Sequence, residues 1–154
     1  MAQKPNIMIV EARFYPAISD ELAKGATQYL EAKGASYERF EVPGAFEIPS
    51  AIQMAIRARS FSTLTHRFDG YVALGCVIRG ETSHYDYVCA ESARGLQDLA
   101  LRYTIAIGYG ILTVENEAQA WARANVHEKN RGAAAAKACL EMLEFKRHFN
   151  LFPR

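Results

Sequence analysis

The feature that most constrains this chain is an apolar run that ends abruptly. Tyr71-Val-Ala-Leu-Gly-Cys-Val-Ile78 gives way to Arg79-Gly-Glu-Thr-Ser83, and an amphipathic pattern begins at His84. An unbroken apolar run without alternation suits a strand buried on both faces. The polar break is a short loop, and the pattern beyond it is a helix. Strand, loop and helix in that order make the repeating unit of a parallel sheet, and ligands in such sheets bind beyond the carboxyl ends of strands.

The same alternation runs along the chain. Asn6–Glu11 reads as a buried first strand. Pro16 suits the first turn of a helix and Gly34 its stop, with Ile18, Leu22, Ala26, Tyr29 and Leu30 on one face. Ser36–Val42 alternates as a strand and Pro43-Gly44 turns the chain. Ile48–Arg59 is predicted helical and Ser60–Arg67 a polar surface loop. The pattern places a third strand at Gly70–Ile78, a long helix at Ser83–Tyr103 and a fourth strand at Ile105–Leu112. Thr113 is the predicted cap of a helix over Glu115–Ala124, and a last helix spans Lys129–Phe149. Short connections and right-handed crossovers put helices on both faces, so the expected fold is α/β, a three-layer α/β/α sandwich. The expected organisation is one domain over residues 1–154, without linker or repeat. The small-residue run Gly132-Ala-Ala-Ala-Ala136 fits close packing within a subunit or between subunits equally well.

Bulk properties exclude several classes. A net charge of +1 draws the chain to neither nucleic acid nor an anionic membrane. No segment approaches the roughly 18–20 apolar residues of a membrane span, and the N-terminus lacks a signal-peptide core. The three cysteines, Cys76, Cys89 and Cys139, fit neither a disulfide framework nor a metal spacing, so a reducing cytoplasm is expected. No Walker loop, Rossmann fingerprint or zinc-spaced Cys/His set occurs.

The strand ends carry the candidate chemistry. Ser83 and Asp86 fit a capping-box variant at the head of the long helix, and the amides of Gly80–Ser83 would gather there as an anion site. His84 stands in that first turn, where the helix dipole disfavours imidazolium and leaves a proton carrier. By itself a histidine at a helix start is more often a capping or surface group. Phe14, after the first strand, is placed to stack on a planar ring or to staple the following helix. Glu47, after the Pro43-Gly44 turn, can accept hydrogen bonds from a ligand or simply complement a helix start. Gly108-Tyr109-Gly110 brackets an aromatic with residues that admit close approach. Arg123 and Arg131 could clamp a phosphate.

Together, Arg13-Phe14, Val42–Pro49, Leu74–Val88, Gly110–Thr113 and Glu115-Asn116 resemble the 6,7-dimethyl-8-ribityllumazine synthase family, over nearly the whole chain and in order. The resemblance implies a flavodoxin-like fold with a four-stranded parallel sheet and no cofactor. It implies condensation of 5-amino-6-(D-ribitylamino)uracil with 3,4-dihydroxy-2-butanone 4-phosphate, the penultimate step of riboflavin biosynthesis. By position, Phe14 would stack on the pyrimidine, and Ala45, Phe46, Glu47, Cys76, Val77 and Ile78 would line the pyrimidine and ribityl site. Glu81 and Thr82 would present amides to the butanone phosphate, and His84 would carry protons. Tyr109 and Arg123 would arrive from the neighbouring subunit of a homopentamer, with Arg131 nearby.

Departures from the family pattern are also visible. Tyr109 stands where phenylalanine is common, adding a hydroxyl that needs a partner, and Arg131 replaces a usual lysine. Ser60–His66 reads as a surface insertion. Asn125–Asn130 lacks the glycines of shell-forming members and the N-terminal arm is short, which favours a plain pentamer or a pentamer pair over an icosahedral capsid. A signalling receiver would need an acidic cluster where Glu11-Ala-Arg-Phe14 stands, and an FMN carrier a hydroxyl-rich phosphate loop there. The stronger rival is a non-catalytic relative that stores flavin or lumazine, against which the set His84, Arg123 and Glu47 argues.

Overall fold

The computed structural model describes residues 4–61 and 68–152. Four parallel strands, β1 (Asn6–Ala12), β2 (Ser36–Val42), β3 (Gly70–Ile78) and β4 (Ala106–Val114), form one sheet in the order β2-β1-β3-β4. Helices α1 (Pro16–Ala32), α4 (Glu117–Ala124) and α5 (Arg131–His148) cover one face; α2 (Ile48–Phe61) and α3 (His84–Tyr103) cover the other. This is the three-layer, flavodoxin-like α/β arrangement that the sequence led us to expect.

The apolar pattern decides the placement of each strand. Tyr71 to Cys76 are all buried, as a strand covered on both faces requires. The first of two core clusters contains Ile7, Ile9, Leu22, Leu30, Val72 and Leu143; the second, Val10, Ile48, Ile52, Tyr71, Leu96 and Ile111. Alternate residues of β1 and β3 thus feed opposite layers. Gly34, at φ 75°, ends α1, and Ala35 N–H closes the turn onto Leu30 O at 2.9 Å.

Gly132, Ala135 and Ala136 of that run are buried within the subunit, as close packing inside a subunit requires. A Cβ added to Gly108 on β4 would lie 1.8 Å from Ala135 O, and one added to Gly132 would lie 2.1 Å from Leu22 O. Helix α5 therefore presses its backbone against β4 and against α1.

Several boundaries differ from expectation. β4 runs on to Val114, so Thr113 is a strand residue and caps nothing; Asn116 caps α4 instead, its Oδ1 accepting from Gln119 N at 2.9 Å. β1 continues one residue to Ala12, and α5 begins at Arg131 because Asn130 takes a left-handed conformation, φ 45°. A short 3₁₀ turn, Ala45–Glu47, precedes α2, and α2 extends through Ser60 and Phe61. The rest of the expected loop, 62–67, lies outside the described residues. No helix among the described residues is long and apolar enough to cross a membrane.

Candidate active site

The strand order brings three chain turns together. β1 lies between β2 and β3, so the loops leaving all three emerge side by side at one end of the sheet. Between them is a cavity of about 510 Å³. Phe14, Ala45, Phe46, Glu47, Cys76, Val77, Ile78 and His84 line it, so eight of the residues named from the sequence converge on one place. Ala12, Tyr15, Pro43, Gly44 and Val88 line it as well and were not anticipated. Val88 could have been: it lies one helical turn below His84, on the same face of α3.

Each wall has a local cause. Phe14 is 71% exposed, touching Tyr15 edge-on at a centroid distance of 4.9 Å. It packs under no helix, so it stands free in the cavity and does not staple α1. Phe46 is exposed and Ala45 buried, as a tight 3₁₀ turn presents successive side chains to different sides. In Glu47, Oε2 is withdrawn from solvent yet meets no hydrogen-bond donor among the described residues. A shielded carboxylate oxygen without a donor is an acceptor waiting for one. The floor is the end of β3, where burial pushes the Cys76 thiol up to about 11. That thiol is neutral at physiological pH and contributes shape, not nucleophilicity. All three cysteines are free.

The entry to α3 is built differently from the capping box foreseen. Ser83 is already helical (φ −74°, ψ −1°) and makes no side-chain cap; Thr82 Oγ1 accepts from His84 N at 3.3 Å. Asp86 is drawn away by Arg79, 3.3 Å distant, which also donates to Glu115 at 2.8 Å and lies over the Tyr85 ring at 4.3 Å. This clamp ties the β3–α3 loop to the end of β4. Glu81 and Thr82 are exposed beside the cavity without lining it, and the amides of Gly80, Glu81 and Thr82 find no acceptor among the described residues. Free amides at a helix head favour an anion there.

Three further expected residues stand elsewhere. Tyr109, on the edge strand β4, borders a separate groove with Leu96, Ala100 and Ile107. Arg123 is half-buried on α4, its Nη1 donating to Gln119 O at 3.0 Å. Arg131 is exposed at the start of α5. Within one subunit none of these three lines the cavity.

Residues 4–147 match the family model described as 6,7-dimethyl-8-ribityllumazine synthase. The chain is 52% identical over 149 residues to the 6,7-dimethyl-8-ribityllumazine synthase of Bartonella tribocorum, covering 97% of this chain and 95% of that one. It is 51% identical over 144 residues to the protein of that name in Agrobacterium fabrum, covering 94% and 96% respectively. It is 52% identical over 141 residues to 6,7-dimethyl-8-ribityllumazine synthase 1 of Rhizobium meliloti, covering 92% and 91%. A match of this extent, spanning every loop that borders the cavity, makes the chain a member of the 6,7-dimethyl-8-ribityllumazine synthase family of enzymes.

Proposed function

We propose that this protein condenses 5-amino-6-(D-ribitylamino)uracil with 3,4-dihydroxy-2-butanone 4-phosphate to give 6,7-dimethyl-8-ribityllumazine, releasing phosphate and water, as the penultimate step of riboflavin biosynthesis. The observation that carries the reading is the convergence of an exposed ring (Phe14), an unpartnered carboxylate oxygen (Glu47) and a proton carrier (His84) on one cavity. Phe14 stacks on the pyrimidine, while Glu47 accepts from the ribityl hydroxyls or ring N–H groups. Ala45, Phe46, Cys76, Val77 and Ile78 shape the slot. Glu81 and Thr82 offer amides to the phosphate at the head of α3.

The chemistry is a series of proton movements between two held reactants. The amine adds to the ketone, and the adduct loses water to form an imine. Loss of a proton from carbon expels phosphate, the resulting enol tautomerises, and the second amine closes the ring with loss of another water. His84 takes up and returns protons in these steps, contributing roughly 10²–10⁴-fold. Holding the reactants together accounts for up to about 7–11 kcal/mol of the barrier.

Tyr109 and Arg123 serve the site of the neighbouring subunit in a homopentamer, Arg123 holding the phosphate with Arg131 nearby. The outward position of Tyr109 on an edge strand supports this. The working unit is then the whole chain as one domain, in the cytoplasm, with small molecules and its own copies as partners. Mixing the purified protein with both substrates tests the reading. Lumazine fluorescence rising in step with released phosphate is the expected result; a protein that binds lumazine but never forms it would be a storage relative instead.

A further inference from the structure

The β1–α1 loop that carries Phe14 is tied down by charged groups with no part in the proposed chemistry. Glu11, near the end of β1, is only 3% exposed. A carboxylate withdrawn from water needs partners on both oxygens. Arg39 on β2 supplies two, its Nε donating to Oε2 at 2.6 Å and its Nη2 to Oε1 at 3.0 Å. Arg13 Nη1 donates to the same Oε1 at 2.9 Å. The other terminal nitrogen of Arg13 turns the opposite way and pairs with Asp20 of α1. Arg13 thus spans from the end of β1 to the early turns of α1, across a loop in which Phe14 and Tyr15 follow it directly.

Phe14 has little else to hold it. Its ring is 71% exposed and meets Tyr15 through a single edge-on contact. A side chain so weakly packed takes its position from the backbone beneath it. That backbone is cross-braced by Arg13, whose bond to the buried Glu11 is worth more than an exposed pair, while its bond to Asp20 lies at the surface.

We propose that Glu11, Arg13 and Asp20 act as positioning residues, a brace that fixes where Phe14 stands and so sets affinity for the planar heteroaromatic reactant. The inference rests on the lumazine synthesis proposed above. The phosphorylated reactant meets the opposite wall, at the head of α3, and does not feel the brace. Arg39 provides the internal comparison: it satisfies the same buried carboxylate from β2 without reaching the loop or α1.

Steady-state kinetics on the assembled enzyme, with each substrate varied in turn, tests this. Arg13→Ala and Asp20→Asn should raise KM for the ribitylaminouracil about five- to tenfold, the equivalent of one ordinary hydrogen bond. KM for the butanone phosphate and kcat should stay within about twofold of the parent. Arg39→Ala should leave both KM values in place although it disturbs the same carboxylate. Asp20 is 70% exposed, so Asp20→Asn keeps the test readable if Arg13→Ala fails to fold. Arg13→Lys should recover part of the lost affinity. Equal rises in both KM values, or the same selective rise in Arg39→Ala, would overturn the brace. An active parent enzyme whose Arg13→Ala and Asp20→Asn variants keep the parent KM sinks the brace alone. A parent that makes no lumazine sinks the function on which it rests.

Discussion

Tyr109 on β4 donates its hydroxyl hydrogen to Ser92 Oγ on α3 across 3.2 Å. The direction follows from Ser92, whose single hydrogen goes to Cys89 O at 3.1 Å and leaves the oxygen free only to accept. Ser92 is fully buried, so the tyrosine that stands where the family commonly has phenylalanine has found its partner inside the subunit. Under the proposed function the hydroxyl is engaged within its own subunit and only the ring would meet a substrate. Tyr109→Phe should therefore keep kcat and both KM values within about twofold and cost about 1 kcal/mol of stability. Parallel kinetics and denaturant titration would check both; a large loss of turnover would mean that the hydroxyl reaches the reactants.

His84 is exposed at the head of α3 and lines the cavity. In the proposed reaction its removal takes away proton transfer but neither the stacking ring nor the slot. We expect His84→Ala to lower kcat by about 10²–10⁴-fold while the affinity for lumazine, followed by its fluorescence, changes little. An unchanged rate would remove His84 from the chemistry.

Arg123 lies apart from the cavity of its own subunit, so the proposed sharing of the site between subunits can be tested by complementation. Arg123→Ala alone should raise KM for the butanone phosphate far more than for the pyrimidine. Oligomers reassembled from equal amounts of His84→Ala and Arg123→Ala chains should regain activity in about a quarter of their sites, those that pair an intact His84 with a neighbour's intact Arg123. Failure to recover activity in verified mixed oligomers would place Arg123 outside the neighbour's site.

Gly108 lets α5 approach β4 more closely than any side chain permits, with a methyl there 1.8 Å from the Ala135 carbonyl oxygen. The obstacle is backbone on a helix held against β3, β4 and α1, so it cannot turn aside. Gly108→Ala should destabilise the fold by about 3 kcal/mol or more, seen as a lower denaturation midpoint at unchanged slope. A neutral substitution would mean that α5 can shift away freely.

Burial pushes the thiols of Cys76 and Cys139 up to about 11 and about 12 from an ordinary 9.0. Both are raised in the fold, so the stability they contribute is complete below pH 9 and is lost as pH climbs through 9 to 12, where unfolded thiols ionise first. Each should add a slope approaching about 1.4 kcal/mol per pH unit in that window. The melting temperature should hold level from pH 7 to 8.5 and fall above 9, and Cys139→Ala should flatten the fall. A level profile up to pH 11 would contradict the shifts.

Most of the cavity lining was legible because it follows from strand ends. Phe14, Glu47 and His84 each sit in the loop or helical turn that follows a strand, and in a parallel sheet those strand ends share one edge. What escaped the sequence were contacts that join distant positions. Asn116, not Thr113, caps α4, because pairing with β3 carries β4 on to Val114. Asp86 does not complete a capping box, because Arg79, which also holds Glu115, draws it into a clamp that no local pattern announces. Ser92 could not be matched to Tyr109 from spacing alone.

Periodicity and turn chemistry by themselves determined the elements of this protein, their order and the residues at each strand end. Those properties depend on neighbours a few positions apart, which any reader of the chain can see. Tertiary structure alone decided that β1 stands between β2 and β3, that Arg13 bridges Glu11 and Asp20 next to Phe14, and that Tyr109 and Arg123 lie outside the cavity of their own subunit. The reason is physical: pairing between strands and burial of charge are settled by groups far apart in sequence, whose meeting is a property of the packed chain.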